Sequence, residues 1–271
     1  MRARNKPGRP PSHVRMTLRP ALLFMALAIA APPAVAADAF DHRHGALDAL
    51  LRQHVRDGSV DYASLQARPK PLDDCLDRLA AVTETEFNPW PEKDRLAFLI
   101  NLYNAATLKL IADHYPVKSI KDIGGFFRGP WKQPVVRLFG RTITLDDLEH
   151  GIIRAQYPDA RVHFALVCGA KGCPPLRAES YAGWQLDAQL DDQGRVFLAQ
   201  SAKNRVEAAA RTVWLSPLFK WFAEDFETAA GSMLQFVTPF FPEAARHALA
   251  GGDFKVDYTS YDWSLNDQAK R

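Results

Sequence analysis

The sequence predicts an α+β fold: one mostly helical domain with a small antiparallel sheet. Three observations carry this. Apolar residues recur at helical spacing through long parts of the chain. Short β-branched runs are bounded by Gly, Pro and Asp. No long linker, low-complexity segment or internal repeat divides the sequence, which favours a single core.

The first 36 of the 271 residues read as a secretory signal peptide. Arg2, Arg4, Lys6, Arg9, Arg15 and Arg19 make a basic start without an acid. Ala21–Ala31 is an apolar run too short to span a bilayer. Ala34-Val35-Ala36 fits a small-x-small cleavage site. The expected product is residues 37–271, periplasmic or secreted, and not an integral membrane protein. No cysteine follows the apolar run, so a lipid anchor is not expected. The leader holds six basic residues and no acid, leaving 28 basic against 31 acidic residues in the rest. That balance offers no basic excess for nucleic acid, so a nucleic-acid partner is not expected.

In order along the chain, Asp41 caps a first helix striped by Ala46, Leu47, Leu50, Leu51 and Val55, and Asp57-Gly58 ends it. A second stripe carries Leu72, Leu76, Leu79 and Val82, with Cys75 as a small core residue. Trp90-Pro91-Glu92 starts a long buried helix that Tyr115-Pro116 stops. Asn101 and Asn104 interrupt its apolar face one turn apart. They either tie down neighbouring loops or orient a catalytic group. Gly124, Gly125 and Gly129 hold Phe126, Phe127 and Trp131 on a loop, a rim or a core plug. A hairpin is expected at 135–143 around Phe139-Gly140. Thr144 and Asp147 form a capping box for a helix carrying Glu149, His150 and Arg154. Gly151 within it suggests a close backbone approach. After a helix from Leu186, two short strands (Val206; Thr212–Leu215), a helix from Ser216-Pro217, two more helices and a strand at 254–258 are expected. Residues after Asn266 are expected to be loose.

The stretch 161–177 stands apart. It opens as an apolar run bearing His163, read as a buried strand, and breaks into a Gly/Lys/Cys/Pro loop with Cys168 and Cys173. A buried segment delivering a reactive loop is a common way to build a site.

Six ordered blocks resemble one family. They are Val60-Asp61-Tyr62; Phe98–Ala105 (FLINLYNA); Thr144–Arg154 (TLDDLEHGIIR); His163–Arg177 (HFALVCGAKGCPPLR); Leu215–Phe226 (LSPLFKWFAEDF); and Tyr261–Asn266 (YDWSLN). In this order they resemble the DUF547 family, a domain of unknown function in bacterial and plant proteins. The resemblance spans nearly the whole chain after the leader and implies one domain. It brings no established catalytic residues with it. A central helix followed by a histidine-bearing segment is also similar, at the level of shape, to papain-like proteins. In those the thiol opens the central helix, and residues 90–114 contain no cysteine.

Three chemistries remain open. One is a thiol- or His-dependent hydrolase or acyltransferase acting on a small-molecule or peptide ligand. Its base would be His163, its orienter Asn101 or Asn104, and its nucleophile Cys173 or Cys168. On a strand, Cys168 faces away from His163, which favours Cys173. Glu149 and His150 are further candidates, from a helix expected to lie beside His163. The second is a metal site from His163, Cys168, Cys173, His150 and Glu149, although the H-x4-C-x4-C spacing matches no strong zinc pattern. The third is a non-catalytic binding or structural protein with a Cys168–Cys173 disulfide. No cofactor motif is present: phosphate-loop, nucleophile-elbow and dinucleotide patterns are missing from the sequence.

Overall fold

A computed structural model describes residues 8, 40–125 and 128–270. The expected leader lies outside the described residues except for Gly8, as do Phe126 and Phe127. From Phe40 onward the chain makes one unit. The N-cap of α1 (Gly45–His54) is His44 and not Asp41, although the Asp41 carboxylate three residues earlier accepts the Gly45 amide at 2.8 Å. α1 ends at His54, before Asp57-Gly58, and Val55, expected in its stripe, lies in a strand instead. Asp57 and Gly58 have positive φ, 48° and 77°. A two-residue hairpin loop requires such angles, so β1 (Val55–Arg56) folds back antiparallel on β2 (Ser59–Val60). α2 (Tyr62–Ala67), α3 (Lys70–Ala81) and α4 (Glu84–Phe87) follow.

α5 (Glu92–His114) is the axis of the fold. Glu92 and Asp94 in its first turn and His114 in its last complement the helix dipole. Every residue from Leu96 to Leu108 is buried, so the helix is wrapped on all sides. It is long and apolar enough to cross a membrane by composition, but its apolar surface is spent on this protein's own core.

β3 (Pro134–Leu138) and β4 (Arg141–Thr144) form the expected hairpin. The capping box is present: Asp147 Oδ2 accepts the Thr144 amide at 3.0 Å, and Thr144 Oγ1 accepts the Asp147 amide at 3.0 Å. The helix it opens is wound as a π-helix over Asp147–Ile153, then continues as α6 (Arg154–Gln156). Gly151 marks no close approach, contrary to the expectation, since a Cβ there would meet nothing within 4 Å.

The stretch 161–177 is not a strand. It begins as a single helical turn, α7 (Val162–Ala165), and then runs irregularly. Asp159 starts the turn, its carbonyl accepting the Val162 amide at 3.0 Å and its carboxylate accepting the Arg161 amide at 3.0 Å. A short apolar run buried on all sides has the same pattern in either conformation, so periodicity could not separate them.

α8 (Leu186–Leu198) precedes β5 (Arg205–Glu207) and β6 (Thr212–Leu215). α9 (Pro217–Trp221), α10 (Ala223–Ala230), α11 (Met233–Val237) and α12 (Glu243–Leu249) then lead to β7 (Lys255–Tyr258). β6 pairs antiparallel with β5 but parallel with β7, so this small sheet is mixed. The intervening helices supply the crossover that a parallel pair needs.

Two apolar clusters fill the unit. One surrounds α5; the other is largely phenylalanine, with Phe164, Phe197, Phe219, Phe226, Phe236 and Phe241. α7 serves both, giving Val162 and Ala165 to the first and Phe164 to the second. The chain end is tied down as far as Gln268, whose Nε2 donates to His54 O at 2.8 Å and Ser59 O at 3.0 Å.

Candidate dithiol site

The site is built from α5 outward. Asn101 and Asn104 are backbone clamps. Asn101 donates to Tyr181 O at 2.8 Å and accepts from Tyr181 N at 2.9 Å. Asn104 donates to Ala165 O at 2.9 Å and accepts from Val167 N at 3.0 Å. Each side-chain amide thus satisfies two backbone groups of a segment that lacks strand partners. Asn104 fixes the chain immediately before Cys168.

Residues 168–173 then curl into a turn. Gly169 takes φ 78°, and a Cβ there would lie 2.4 Å from Ile111 Cδ1, so both conformation and space demand glycine. The Cys173 amide donates to Ala170 O at 3.1 Å and closes the turn. The segment 262–266 laces onto it: Lys171 N to Ser264 O and Gly172 N to Asp262 O, both 2.8 Å, and Asn266 N to Gly169 O at 2.9 Å. This lacing carries Tyr261 onto the thiols.

The two cysteines are free and face each other. The Cys168 amide donates to Cys173 Sγ at 3.0 Å. Cys168 Sγ lies 3.3 Å from the Tyr261 hydroxyl, and Lys203 Nζ donates to Cys173 O at 2.6 Å. Burial raises the Cys173 thiol, but hydrogen bonds from the Cys168 thiol, the Tyr261 hydroxyl and the Cys168 amide, with the Lys203 charge nearby, bring it down to about 7. A thiolate on Cys173 then holds the Cys168 thiol protonated, well above its usual range. Lys203 is itself pushed down by burial while the thiols pull it up.

Tyr103, also on α5, extends the site. Burial raises its hydroxyl, which also senses the Glu149 carboxyl and both thiols. Glu149 is raised by burial, against the favourable approach of the Tyr103 hydroxyl. It is a carboxyl shifted toward neutrality on the thiol side of the π-helix.

His163 stands in a second group. Its Nε2 donates to Asp225 Oδ2 at 2.7 Å, and its ring stacks on Phe222 with centroids 3.9 Å apart. Arg154 grips Asp225 with two bonds of 2.7 Å, and His150 Nδ1 lies 3.1 Å from Arg154 Nη1. Burial lowers His163 to about 4 despite Asp225, so it is neutral at pH 7. Arg154 above all, opposed by burial, and then His163 bring Asp225 to about 2. The seven residues singled out from sequence therefore divide. Cys168 and Cys173 share one set of contacts, and Asn104 anchors it from α5. Glu149 reaches that set through Tyr103. His150 and His163 meet around Arg154 and Asp225. Asn101 clamps Tyr181.

Sequence reasoning gave no role to Tyr103, Tyr261, Lys203, Arg154 or Asp225. A signal existed for all but Lys203, because each of the six motif blocks supplies a residue here. Even Tyr62, from the first block, senses the charge of both thiols. Lys203 follows α8, 30 residues from Cys173, with no pattern to mark it. Among the described residues, no group of three His, Cys, Asp or Glu side chains is arranged to hold a metal ion. A cavity of about 460 Å³ lies beside the continuation of the loop, lined by Pro175, Leu176, Arg177, Gln193 and Gln200 among others, and not by the thiols.

Residues 87–198 match a family model described as a protein of unknown function, DUF547. The match covers 112 of the 271 residues, and this stretch is similar to that family. It holds the blocks with Tyr103, Glu149, Arg154 and the two cysteines. The blocks with Tyr62, Asp225 and Tyr261 lie outside the matched residues, so the match is shorter than the resemblance drawn from the motifs. No curated protein and no solved structure matches the chain.

Proposed function

We propose that the DUF547-like region and its flanking blocks form an exported thiol-dependent acyl hydrolase or acyltransferase, with Cys173 as nucleophile. The observation that supports this best is the Cys168 amide bonded to Cys173 Sγ at 3.0 Å beneath Tyr261 and beside Lys203. Donors converging on one sulfur favour its thiolate, the reactive form. On this reading Cys173 Sγ adds to a substrate acyl carbon. The tetrahedral adduct collapses to a thioester, and the leaving group departs with a proton from Glu149, passed through Tyr103. Water or an acceptor alcohol then attacks the thioester and gives its proton back along the same path, releasing the acyl product and the Cys173 thiolate. Burial raises Glu149 above the usual carboxylate range, the direction a general acid needs. His163 is a positioning residue that acts through Asp225 and Arg154 rather than the base.

The test is hydrolysis of 4-nitrophenyl acetate by the purified chain, beside its alkylation by iodoacetamide. Cys173→Ser is expected to abolish both the rapid alkylation and the burst of nitrophenol. A burst of undiminished size in Cys173→Ser would overturn the assignment.

A second reading is favoured by the same contact: thiols this close form a disulfide in an oxidising compartment, giving a non-catalytic binding protein. Counting thiols in denaturant separates the two. Protein from the periplasm should show three thiols without reductant on the first reading and one on the second, since the chain has three cysteines.

A further inference from the structure

Trp221, Tyr261 and Trp263 lie outside both apolar cores, yet they pack on one another. Tyr261 and Trp263 are 4.5 Å apart between ring centroids, Trp221 and Tyr261 4.8 Å, and Trp221 stacks on Trp263 at 5.7 Å. Trp131 joins at 5.9 Å, edge to face with Trp263. Trp221 remains 49% exposed. Four rings in mutual contact make a contiguous aromatic surface rather than a singly exposed side chain, and such a surface marks a place where a ligand or partner binds. This ledge ends at the reactive group: Tyr261, its innermost ring, is the residue whose hydroxyl touches Cys168 Sγ at 3.3 Å.

An ammonium group stands at each end of the ledge. The Lys121 ammonium sits 3.6 Å from the centre of the Trp263 ring. Lys203 stands at the thiol end. Asp225 is paired with Arg154 and His163 at 2.7 Å, whereas Asp262, which accepts the Ser264 hydroxyl at 2.6 Å, keeps its charge near Lys203 and leaves Lys121 as the ammonium open to a ligand. Stacked rings offer faces to a planar apolar group, and flanking ammonium groups select a negative charge.

We propose that this ledge is the substrate subsite of the thiol centre and takes aromatic acyl compounds carrying a carboxylate. The substrate ring lies against Trp221 and Tyr261, its carboxylate faces Lys121, and its acyl carbon is directed toward the thiols. The assignment rests on the thiol reading above for its catalytic meaning, but not for its binding.

The test therefore uses full-length Cys173→Ser, in which no turnover can occur. Benzoylglycine is titrated by calorimetry and by tryptophan fluorescence, with its neutral amide and cellobiose as comparison probes. Saturable binding of benzoylglycine is expected, weakened at least tenfold by Trp221→Ala and at least fivefold by Lys121→Met or by replacing the carboxylate with the amide. Both side chains are exposed, so neither variant disturbs a core; unchanged thermal unfolding confirms it. No saturable binding, equal binding of the amide, indifference to Trp221→Ala, or preference for cellobiose would each overturn the subsite. Binding that survives without any esterase burst in the wild-type chain would instead remove the thiol reading and leave the subsite standing.

Discussion

At the scale of single residues, the site turns on how two sulfurs share one charge. Cys173 is the lower of the pair because donors surround it, so removing a donor must raise it. Lys203→Met and Tyr261→Phe are each expected to move the midpoint of iodoacetamide alkylation upward from about 7 by roughly one unit. An unmoved midpoint in both variants would remove these residues from the site. His163 makes a separate prediction through pH. Burial lowers its pKa from 6.5 to about 4, so the unfolded chain binds a proton before the folded one does. The stability this contributes is complete above pH 6.5 and is lost as pH falls toward 4, on the order of 3 kcal/mol in all. His44, also lowered to about 4 by burial, adds in the same window. Asp225 acts lower, its contribution fading only as pH falls from the usual carboxylate range toward 2. Urea titrations at pH 7.5, 6 and 4.5 should show His163→Asn losing less stability across this range than the wild type. Parallel losses would mean that His163 titrates normally.

At the scale of elements, α5 organises the site through amides and not through a nucleophile. Asn104→Ala leaves Ala165 O and Val167 N without their partners in a buried place, at roughly 1–3 kcal/mol each. Asn101→Ala does the same to Tyr181 O and N. Chemical denaturation should register comparable destabilisation for the two. Only Asn104→Ala should also slow alkylation of Cys173, because only that clamp borders the thiol turn. If Asn101→Ala slowed it equally, the difference between the clamps would be wrong. The pattern of two asparagines on an apolar helix was legible in the sequence; which loop each one held was not. The helix was predictable because its periodicity and its Pro91 and Pro116 flanks are local. The partners, 61 and 80 residues away, are not.

At the scale of the whole unit, two apolar clusters meet across α7, so the Phe164 cluster and the α5 cluster are expected to unfold together. Phe164 packs against five phenylalanine rings, Phe197, Phe219, Phe226, Phe236 and Phe240. Phe164→Ala should cost about 3–5 kcal/mol. It should lower one common transition, seen alike by near-ultraviolet and far-ultraviolet dichroism. Two separated transitions would show that the clusters are independent. The same geometry explains why blocks 200 residues apart in sequence carry one site. Tyr62 OH donates to Asn266 Oδ1 at 2.8 Å, tying the first motif block to the last around the thiol turn.

The sequence by itself determined the helical majority, the hairpin at Phe139-Gly140 and the capping box of Thr144 and Asp147. These depend on periodicity, on Gly and Pro, and on side chains that bond within four residues of themselves. Tertiary structure alone decided that 161–165 is a helical turn and not a strand, and that His163 belongs to Asp225. It also decided that Cys173 sits beneath Tyr261 and beside Lys203. A short apolar run reads alike in either conformation, and a thiol's acidity is set by donors that reach it from distant parts of the chain.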